Sequence, residues 1–376
     1  MYLFSITRLF LGPAHSMGAA LLHRKVLRRG STVPFATNLL AVALCCVSVV
    51  PAAADAPGLG QNNGVDTLFE QLRGYDMRLA AVGYRLVVAN APLCDRLQPG
   101  IGMQLHALDQ YDVGERDAAQ AHFGFETPIG VEGVIAGSPA DAAGVRPDDS
   151  LVRVGPVVIA DISGKPGTTE RLVGTQLAIA ALPPDQPIDV DLLRHGAPMR
   201  VTVHPVPACF SRFELKVSDT LDASGDGTMV QVSSRALDDF AGDLLVPLVA
   251  HELSHNILRH RERLEARGVS WGMLAGLGGN VKYFRQVETE ADILSVSLMA
   301  NAGYDPAIAV PMLRQVGKQY SIFSMRTHPH WKDRIATVEH EIAVIKTHRE
   351  RPIIPSVLAS RERPLDGDWK AILKRH

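Results

Sequence analysis

The chain has 376 residues, of which 46% are apolar and 21% are charged, and its formal net charge is −2. This composition is ordinary for a globular protein and disfavours a disordered chain. The near balance of charge disfavours a nucleic-acid-binding protein, which usually carries a basic excess, and the length predicts two folded units.

The N-terminal region has the pattern of a secretory signal peptide. A basic cluster lies between 24 and 29, an apolar run follows over 39–50, and small residues fill 51–56. Positive, apolar and small-residue segments in that order predict cleavage and export, so we assign 1–54 to a signal peptide. The alternative is an uncleaved segment that anchors the protein in the inner membrane. The apolar run is short for that role, since a span needs about 20 residues.

The chain contains four cysteines. Cys45 and Cys46 lie in the apolar run and would leave with the signal, so that Cys94 and Cys209 remain. An even pair in an oxidising compartment predicts a disulfide; two buried free thiols are the alternative.

Residues 65–88 show apolar side chains at three- and four-residue spacings, which predicts a helix. Residues 100–107 alternate as a strand does. The next block, over 121–206, contains Ala136-Gly-Ser-Pro-Ala-Asp-Ala-Ala-Gly144, which predicts a turn and a short helix between two strands.

This block resembles a PDZ domain of the bacterial protease type. The resemblance implies that an extended peptide or a protein C-terminus binds as an added strand. We assign the loop that receives the peptide's carboxylate to Phe123, Gly124 and Phe125, with an ordinary turn as the alternative.

A different pattern follows Cys209. Residues 213–217 and 229–232 alternate as strands, and a long helix predicted from near Asp238 carries His251-Glu252-Leu253-Ser254-His255. Residues four apart share a helix face, so both imidazoles can reach one metal ion. Glu252 then lies beside the metal as the general base.

The third ligand decides the class of metal site. Leu258 and Arg261 occupy the positions where a metzincin has glycine and histidine, so that class is excluded. The alternative is a glutamate on a later helix, and Glu288 fits, with Glu290 as its competitor. Asp292, one turn after Glu288, is suited to accept a hydrogen bond from the outer nitrogen of His251. His260 lies off these patterns, and we interpret it as a surface residue.

Four motifs in order resemble the gluzincin family that includes HtpX, BepA and the CAAX prenyl endopeptidases. They are Ala250–Asn256, Glu288–Asp292, Ala302-Gly-Tyr-Asp-Pro306 and Thr327-His-Pro329 with Arg334-Ile335. The resemblance implies that His328 lies near the metal, either stabilising the transition state or occupying the fourth coordination site. It also implies that Arg334 orders this loop or binds substrate, whereas His330 is structural or exposed.

These observations predict an α+β protein: a mainly helical gluzincin metallopeptidase domain with a small sheet, split by a β-rich PDZ-like insertion. Its parts are an N-terminal piece of the peptidase domain (65–120), the PDZ-like domain (121–206), the catalytic domain (207–345) and a C-terminal tail (346–376). By resemblance, the 229–232 strand pairs with substrate as an edge strand.

The expected function is zinc-dependent cleavage of peptide bonds, with one Zn²⁺ per chain. The expected substrates are polypeptides, among them unfolded or misassembled envelope proteins, and the expected location is periplasmic or secreted. Two alternatives remain: a peptide-binding PDZ protein with a silent peptidase domain, and a hydrolase of a non-peptide bond such as an amidase.

Overall fold

The computed structural model describes residues 59–269, 278–319 and 327–375. The predicted signal peptide over 1–54, and with it the alternative of a retained anchor, lies outside the described residues. Within the described part of the chain, no helix has the length and apolar character needed to cross a bilayer. Helices and strands both build the protein, so the fold class is α+β, as predicted.

The first helix, α1 (Leu59–Ala89), belongs to the largest hydrophobic core. Its apolar spacing buries Leu79, Leu86 and Val87 in the same cluster as the helix that carries the histidine motif. The chain before Cys94 and the chain after Cys209 therefore share one core.

A narrow neck connects this core to the inserted segment. Strand β1 (Leu97–Gly100) pairs antiparallel with β8 (Val206–Cys209), so the chain leaves and returns side by side. The predicted disulfide between Cys94 and Cys209 is present at the base of this ribbon.

Residues 101–205 form what we call the inserted domain, which has an antiparallel sheet and a hydrophobic cluster of its own. Its strands lie in the order β2-β3-β4-β6-β7, with β5 paired to β4. The strands are β2 (Met103–Ala107), β3 (Ile129–Val134), β4 (Ser150–Val154), β5 (Val157–Val158), β6 (Ile188–Arg194) and β7 (Ala197–Val203), and the helices are α2 (Arg116–Phe123), α3 (Pro139–Ala142) and α4 (Glu170–Ala180).

The inserted domain begins earlier than the sequence indicated. Strand β2 pairs with β3 along most of its length, so the boundary predicted at 121 falls inside this domain. An antiparallel partner some twenty residues away leaves no local signal in the sequence, whereas the turn after β3 has one.

The remaining chain forms a small sheet covered by helices. The strands are β9 (Arg212–Lys216), β10 (Ala223–Gly225) and β11 (Met229–Ser233), and the helices are α5 (Ser234–Asp239), α6 (Leu245–Ile257), α7 (His260–Ala266), α8 (Val281–Asn301), α9 (Ala309–Gln319), α10 (Trp331–Lys346) and α11 (Trp369–Arg375). The motif helix begins at Leu245 rather than near Asp238, because Gly242, in the left-handed region at φ 57°, separates it from α5.

The C-terminal segment packs onto the helices. Ile353, Val357 and Leu365 are buried, and the backbone N–H groups of Asp366 and Gly367 donate to the side-chain oxygen of Gln286 on α8. Residues 346–375, predicted as a tail, are therefore a strap that packs against α8.

Carboxyl groups from three elements line one small cavity between α1, the inserted domain and β9. Asp76, Glu132 and Glu214 all face this space, which has a volume of about 70 Å³. Burial, and then the charge of Glu214, raises the pKa of Asp76 to about 7. Burial, and then Asp76, raises the pKa of Glu132 well above its usual range.

The buried carboxyl groups of this cavity should make the folded protein less stable as the pH rises. The folded-state pKa of Asp76 lies above the unfolded value of about 3.9, so its contribution is complete below that value and is lost as pH rises toward 7. Between pH 5 and pH 8, the free energy of unfolding should fall by less in Asp76→Asn than in the natural chain. The difference between the two proteins should exceed about 1 kcal/mol, measured by urea unfolding with the disulfide intact.

The control is Asp185→Asn, which neutralises an exposed carboxylate and should keep the pH dependence of the natural chain. An unchanged pH dependence in Asp76→Asn would contradict the assignment.

Candidate metal centre

Helix α6 presents two histidines on one buried face. His251 and His255 lie one turn apart, and their Nε2 atoms are 3.2 Å from each other. The helix is buried along most of its length because apolar residues flank the motif on both sides. The two rings therefore point to a common position inside the protein.

Helix α8 brings a carboxylate to the same position. Glu288 Oε2 lies 3.2 Å from His251 Nε2, and Glu288 Oε1 lies 3.7 Å from His255 Nε2. One ligand atom from each residue falls within 4.8 Å of the others. The structure thus brings together the three residues that the sequence nominated as ligands.

The outer nitrogen of His251 is fixed by a carboxylate. Its Nδ1 atom lies 3.0 Å from Asp292 Oδ1, and Arg334 donates to both oxygens of Asp292 at 2.8 and 2.7 Å. An arginine can only donate, so the acceptor for the His251 ring proton is Asp292. That proton on Nδ1 leaves a lone pair on Nε2, directed at Glu288.

This arrangement suits a cation. An imidazole lone pair and a carboxylate oxygen at 3.2 Å repel each other unless a positive charge lies between them. Burial lowers the pKa of His251, but the hydrogen bonds to Asp292 and Glu288 outweigh burial and raise this pKa to about 10. A proton on the ring thus partly supplies the positive charge that the two carboxylates favour. Two imidazoles and one carboxylate are a donor set that Zn²⁺ accepts, with a fourth position left for water or substrate.

Glu252 lies next to this position but is not one of the three converging residues. Its side chain is buried, and burial raises its pKa to about 7. It lines a cavity that also contains His251. A carboxylate with an elevated pKa beside a metal position is suited to accept and return a proton.

An edge strand runs beside α6. Strand β11 lies between β10 and β9, so both of its sides are paired and the prediction of an edge strand at 229–232 is wrong. The edge next to the metal position is β10. A Cβ atom on its Gly225 would lie 2.5 Å from the carbonyl oxygen of Glu252, so glycine permits the strand to pack directly on the helix.

A largely apolar cavity of about 240 Å³ opens beside the metal position. Its walls come from β10, α6, α9 and α10, and the main apolar contributors are Leu221, Phe240, Leu248, Met312, Leu313, Val316 and Trp331. No local sequence pattern marks this cavity, because its side chains come from segments far apart along the chain.

The residues implied by resemblance lie close to the ligands. His328 Nε2 is 3.3 Å from Glu288 Oε2 and its side chain is partly exposed. Arg334 is largely buried and binds Asp292, so it holds the Asp292 carboxylate next to His251. His330 caps the start of α10 by accepting from the backbone N–H of Lys332.

His260 is not a surface residue. It is 1% exposed, and its Nδ1 atom lies 2.8 Å from His255 Nδ1. Glu290, the competing third ligand, is turned away from the metal position and contacts His260 Nε2 at 3.2 Å. Glu290 therefore contacts His260, the neighbour of the candidate ligand His255, and is not itself placed as a ligand.

The peptide-carboxylate loop does not lie at residues 123–125. Phe123 ends α2, and both Phe123 and Phe125 are buried in an aromatic cluster. The backbone N–H groups of Gly124 and Phe125 already donate to the carbonyl of Gln120. No donor of these two residues is left for a carboxylate, which contradicts the assignment.

A groove lies elsewhere, where β2 and α4 of the inserted domain meet α1 and β9. It contains a cavity of about 140 Å³ whose lining includes Gly100–Gly102, Ile179 and Ala180 of α4, and Tyr84 of α1. Strand β2 is an edge of its sheet among the described strands. The sequence signal that could have located it is the Gly-Ile-Gly run directly before β2.

Comparisons with known proteins agree with this geometry. Residues 271–342 match the model of Peptidase family M48. The matched stretch contains Glu288, Asp292, His328 and Arg334. His251 and His255 lie before the matched stretch, and the fold places them next to Glu288. The chain is also 28% identical over 133 residues to the mitochondrial metalloendopeptidase OMA1 of Schizosaccharomyces pombe. That alignment covers 29% of this chain and 39% of the relative. The similarities support a metallopeptidase.

Zinc should bind the metal-free protein and stabilise it. A ligand at 1,000 times its dissociation constant adds about 4 kcal/mol to the free energy of unfolding. Replacing Glu288 by glutamine removes the ligand charge, so we expect at least a tenfold weaker zinc affinity, measured by chelator competition and thermal unfolding.

The matched variant is Glu339→Gln, which changes an exposed glutamate on α10. It should keep the zinc affinity of the natural chain. Equal affinities for Glu288→Gln and Glu339→Gln would rule out Glu288 as a ligand.

Proposed function

We propose that this protein is a zinc metalloendopeptidase that hydrolyses peptide bonds in protein substrates. The observation that carries the proposal is the convergence of three acceptor side chains, His251, His255 and Glu288, on one buried position. The match to Peptidase family M48 supports the same class.

Each residue at the site would have a separate role in hydrolysis. Zinc, when bound, would lower the pKa of water and polarise a carbonyl group. Glu252 accepts the proton of the attacking water and returns it to the leaving amine. Asp292 and Arg334 hold His251 in the orientation that points Nε2 inward.

A polypeptide fits the surroundings of this position. The outer edge of β10, which no described strand pairs, can pair with an extended substrate, since an edge strand offers its backbone groups to an added strand. The neighbouring cavity of about 240 Å³ then receives an apolar side chain. Both features favour a peptide bond over the bond of a small non-peptide amide.

We further propose that His328 restrains the enzyme at rest. Its Nε2 atom is 3.3 Å from Glu288 Oε2, so the ring lies next to the residues that would hold the metal. Substrate would have to displace this ring before the carbonyl could approach. His328 could then stabilise the developing oxyanion as a hydrogen-bond donor.

We also propose a role in protein quality control outside the cytosol. The pattern of a signal peptide over 1–54 and the disulfide between Cys94 and Cys209 both favour an oxidising compartment. Unfolded or misassembled envelope proteins would be the substrates. The retained inner-membrane anchor stays as the alternative form of this location.

The inserted domain is proposed to act as a PDZ-like peptide-binding module. A C-terminal peptide would add a strand to the edge of β2, with its carboxylate next to Gly100–Gly102. This groove also supports the second candidate function, a peptide-binding protein whose peptidase domain is silent.

A paired assay tests the peptidase function. The natural chain and Glu252→Gln should each bind about one zinc, whereas casein cleavage should fall on the order of 100-fold or more in the variant, because a general base contributes about that much. Zinc content and the cleavage rate are measured on the same samples.

If both proteins bind zinc and neither cleaves, the next variant is His328→Ala. Cleavage by His328→Ala would establish the restrained enzyme. A silent His328→Ala with bound zinc would instead favour the peptide-binding function.

A change in the groove tests the peptide-binding module. Ala180→Glu places a negative charge on the groove wall, so it should weaken binding of peptides with a free C-terminal carboxylate at least tenfold in a peptide-library assay. Ala178→Glu adds the same charge on another face of α4 and should not weaken it. Equal binding of amidated and free peptides would contradict a carboxylate site.

A further inference from the structure

The two ligand histidines have different partners on their outer nitrogens. His251 Nδ1 contacts a carboxylate directly, since Asp292 lies 3.0 Å away. His255 Nδ1 contacts another imidazole, since His260 Nδ1 lies 2.8 Å away. A ligand histidine usually donates its outer N–H to a carboxylate, carbonyl or water, so the second arrangement requires its own explanation.

A break in the helix makes this contact possible. His255 and His260 are five residues apart, and in a continuous helix, at about 100° per residue, they would point about 140° away from each other. Arg259, in the left-handed region at φ 51°, separates α6 from α7. This conformation is uncommon for a residue with a side chain, and it turns His260 back onto His255.

The hydrogen-bond directions follow from the ligand position. Nε2 of His255 faces the other two ligand atoms, so it must carry the lone pair and Nδ1 must carry the proton. That proton is donated to Nδ1 of His260, which is then an acceptor. The remaining ring proton of His260 lies on Nε2 and is donated to Glu290 Oε2 at 3.2 Å.

Glu290 is held as an ionised acceptor at the end of this chain. Arg263 donates to both of its oxygens, at 2.5 and 3.3 Å. Gln286 and Ser360 donate to the same carboxylate, each at 3.0 Å. Glu290 and its partners are all buried, so the carboxylate has a fixed position and a fixed charge.

We propose that His260 is a positioning residue that selects the tautomer and orientation of the ligand His255, with Glu290 as the anchor of the relay. The C-terminal strap completes the anchor, because Ser360 bonds Glu290 and the carbonyl of Arg363 accepts from Arg263. The inference rests on the metal binding of the proposed function but not on its peptidase activity.

A purely structural role for His260 makes a different prediction. A buried histidine that only fills the core would lower the stability when it is replaced and leave the metal affinity unchanged. His106 is the matched control, because it is also fully buried, contacts one polar partner, the Tyr111 hydroxyl at 3.0 Å, and lies in the inserted domain.

The experiment measures zinc affinity by chelator competition on the full chain and its variants. His260→Ala removes the acceptor of the His255 proton and should weaken zinc binding about 10–100-fold. His260→Asn places an amide oxygen near the position of Nδ1 and should recover part of the loss. Glu290→Gln, which weakens the anchor, should lie between His260→Ala and the natural chain, and His106→Asn should keep the full affinity.

Nitrogen NMR of zinc-loaded natural protein provides a second readout that needs no variant to fold. The His255 ring should carry its proton on Nδ1 and bind zinc through Nε2. A folded His260→Ala with unchanged zinc affinity, or a His255 ring that binds zinc through Nδ1, would overturn the relay. A natural chain that binds no zinc would instead refute the proposed function on which the relay rests.

Discussion

The packing of α6 against α8 is the contact on which the rest of the site depends. It places two imidazole nitrogens and one carboxylate within 4.8 Å of one another in a region with little access to water. Burying such groups without compensation costs several kcal/mol per charge, so the core around them must supply opposite charge and hydrogen bonds. The apolar residues on both helices provide the burial, and the polar residues between them provide the compensation.

That compensation follows one scheme on both sides of the site. Each of the two histidines leads to a buried carboxylate, and each carboxylate is paired with an arginine that is buried or largely buried: Asp292 with Arg334, and Glu290 with Arg263. The arginines come from α10 and α7, so elements distant in sequence contribute to one electrostatic balance. A loss of either arginine would leave a buried carboxylate without its cationic partner, a defect that costs more than the net value of the pair.

The sequence predicted the features that depend on local spacing. His251, His255, Glu288 and Asp292 follow helical periodicity, and the structure brings them together. His260 was misassigned because a helix break, not periodicity, decides where its side chain points. Three features were missed or misplaced for a related reason, because strand pairing joins distant residues and has no local signature. They are the start of the inserted domain, the edge strand β10 and the groove beside β2. The loop at Phe123 was misjudged because aromatic residues next to glycine suit a buried helix end as well as a binding loop.

The disulfide at the neck has a consequence for damage by other proteases. The chain enters and leaves the inserted domain through a single ribbon, and Cys94 and Cys209 close that ribbon on the side of the largest hydrophobic core. A single cut anywhere in the inserted domain would therefore leave α1 covalently attached to the catalytic half. Such a nicked chain would migrate as one species without reductant and as two with it. The disulfide would therefore keep the two chain segments that share the largest hydrophobic core joined after such a cut.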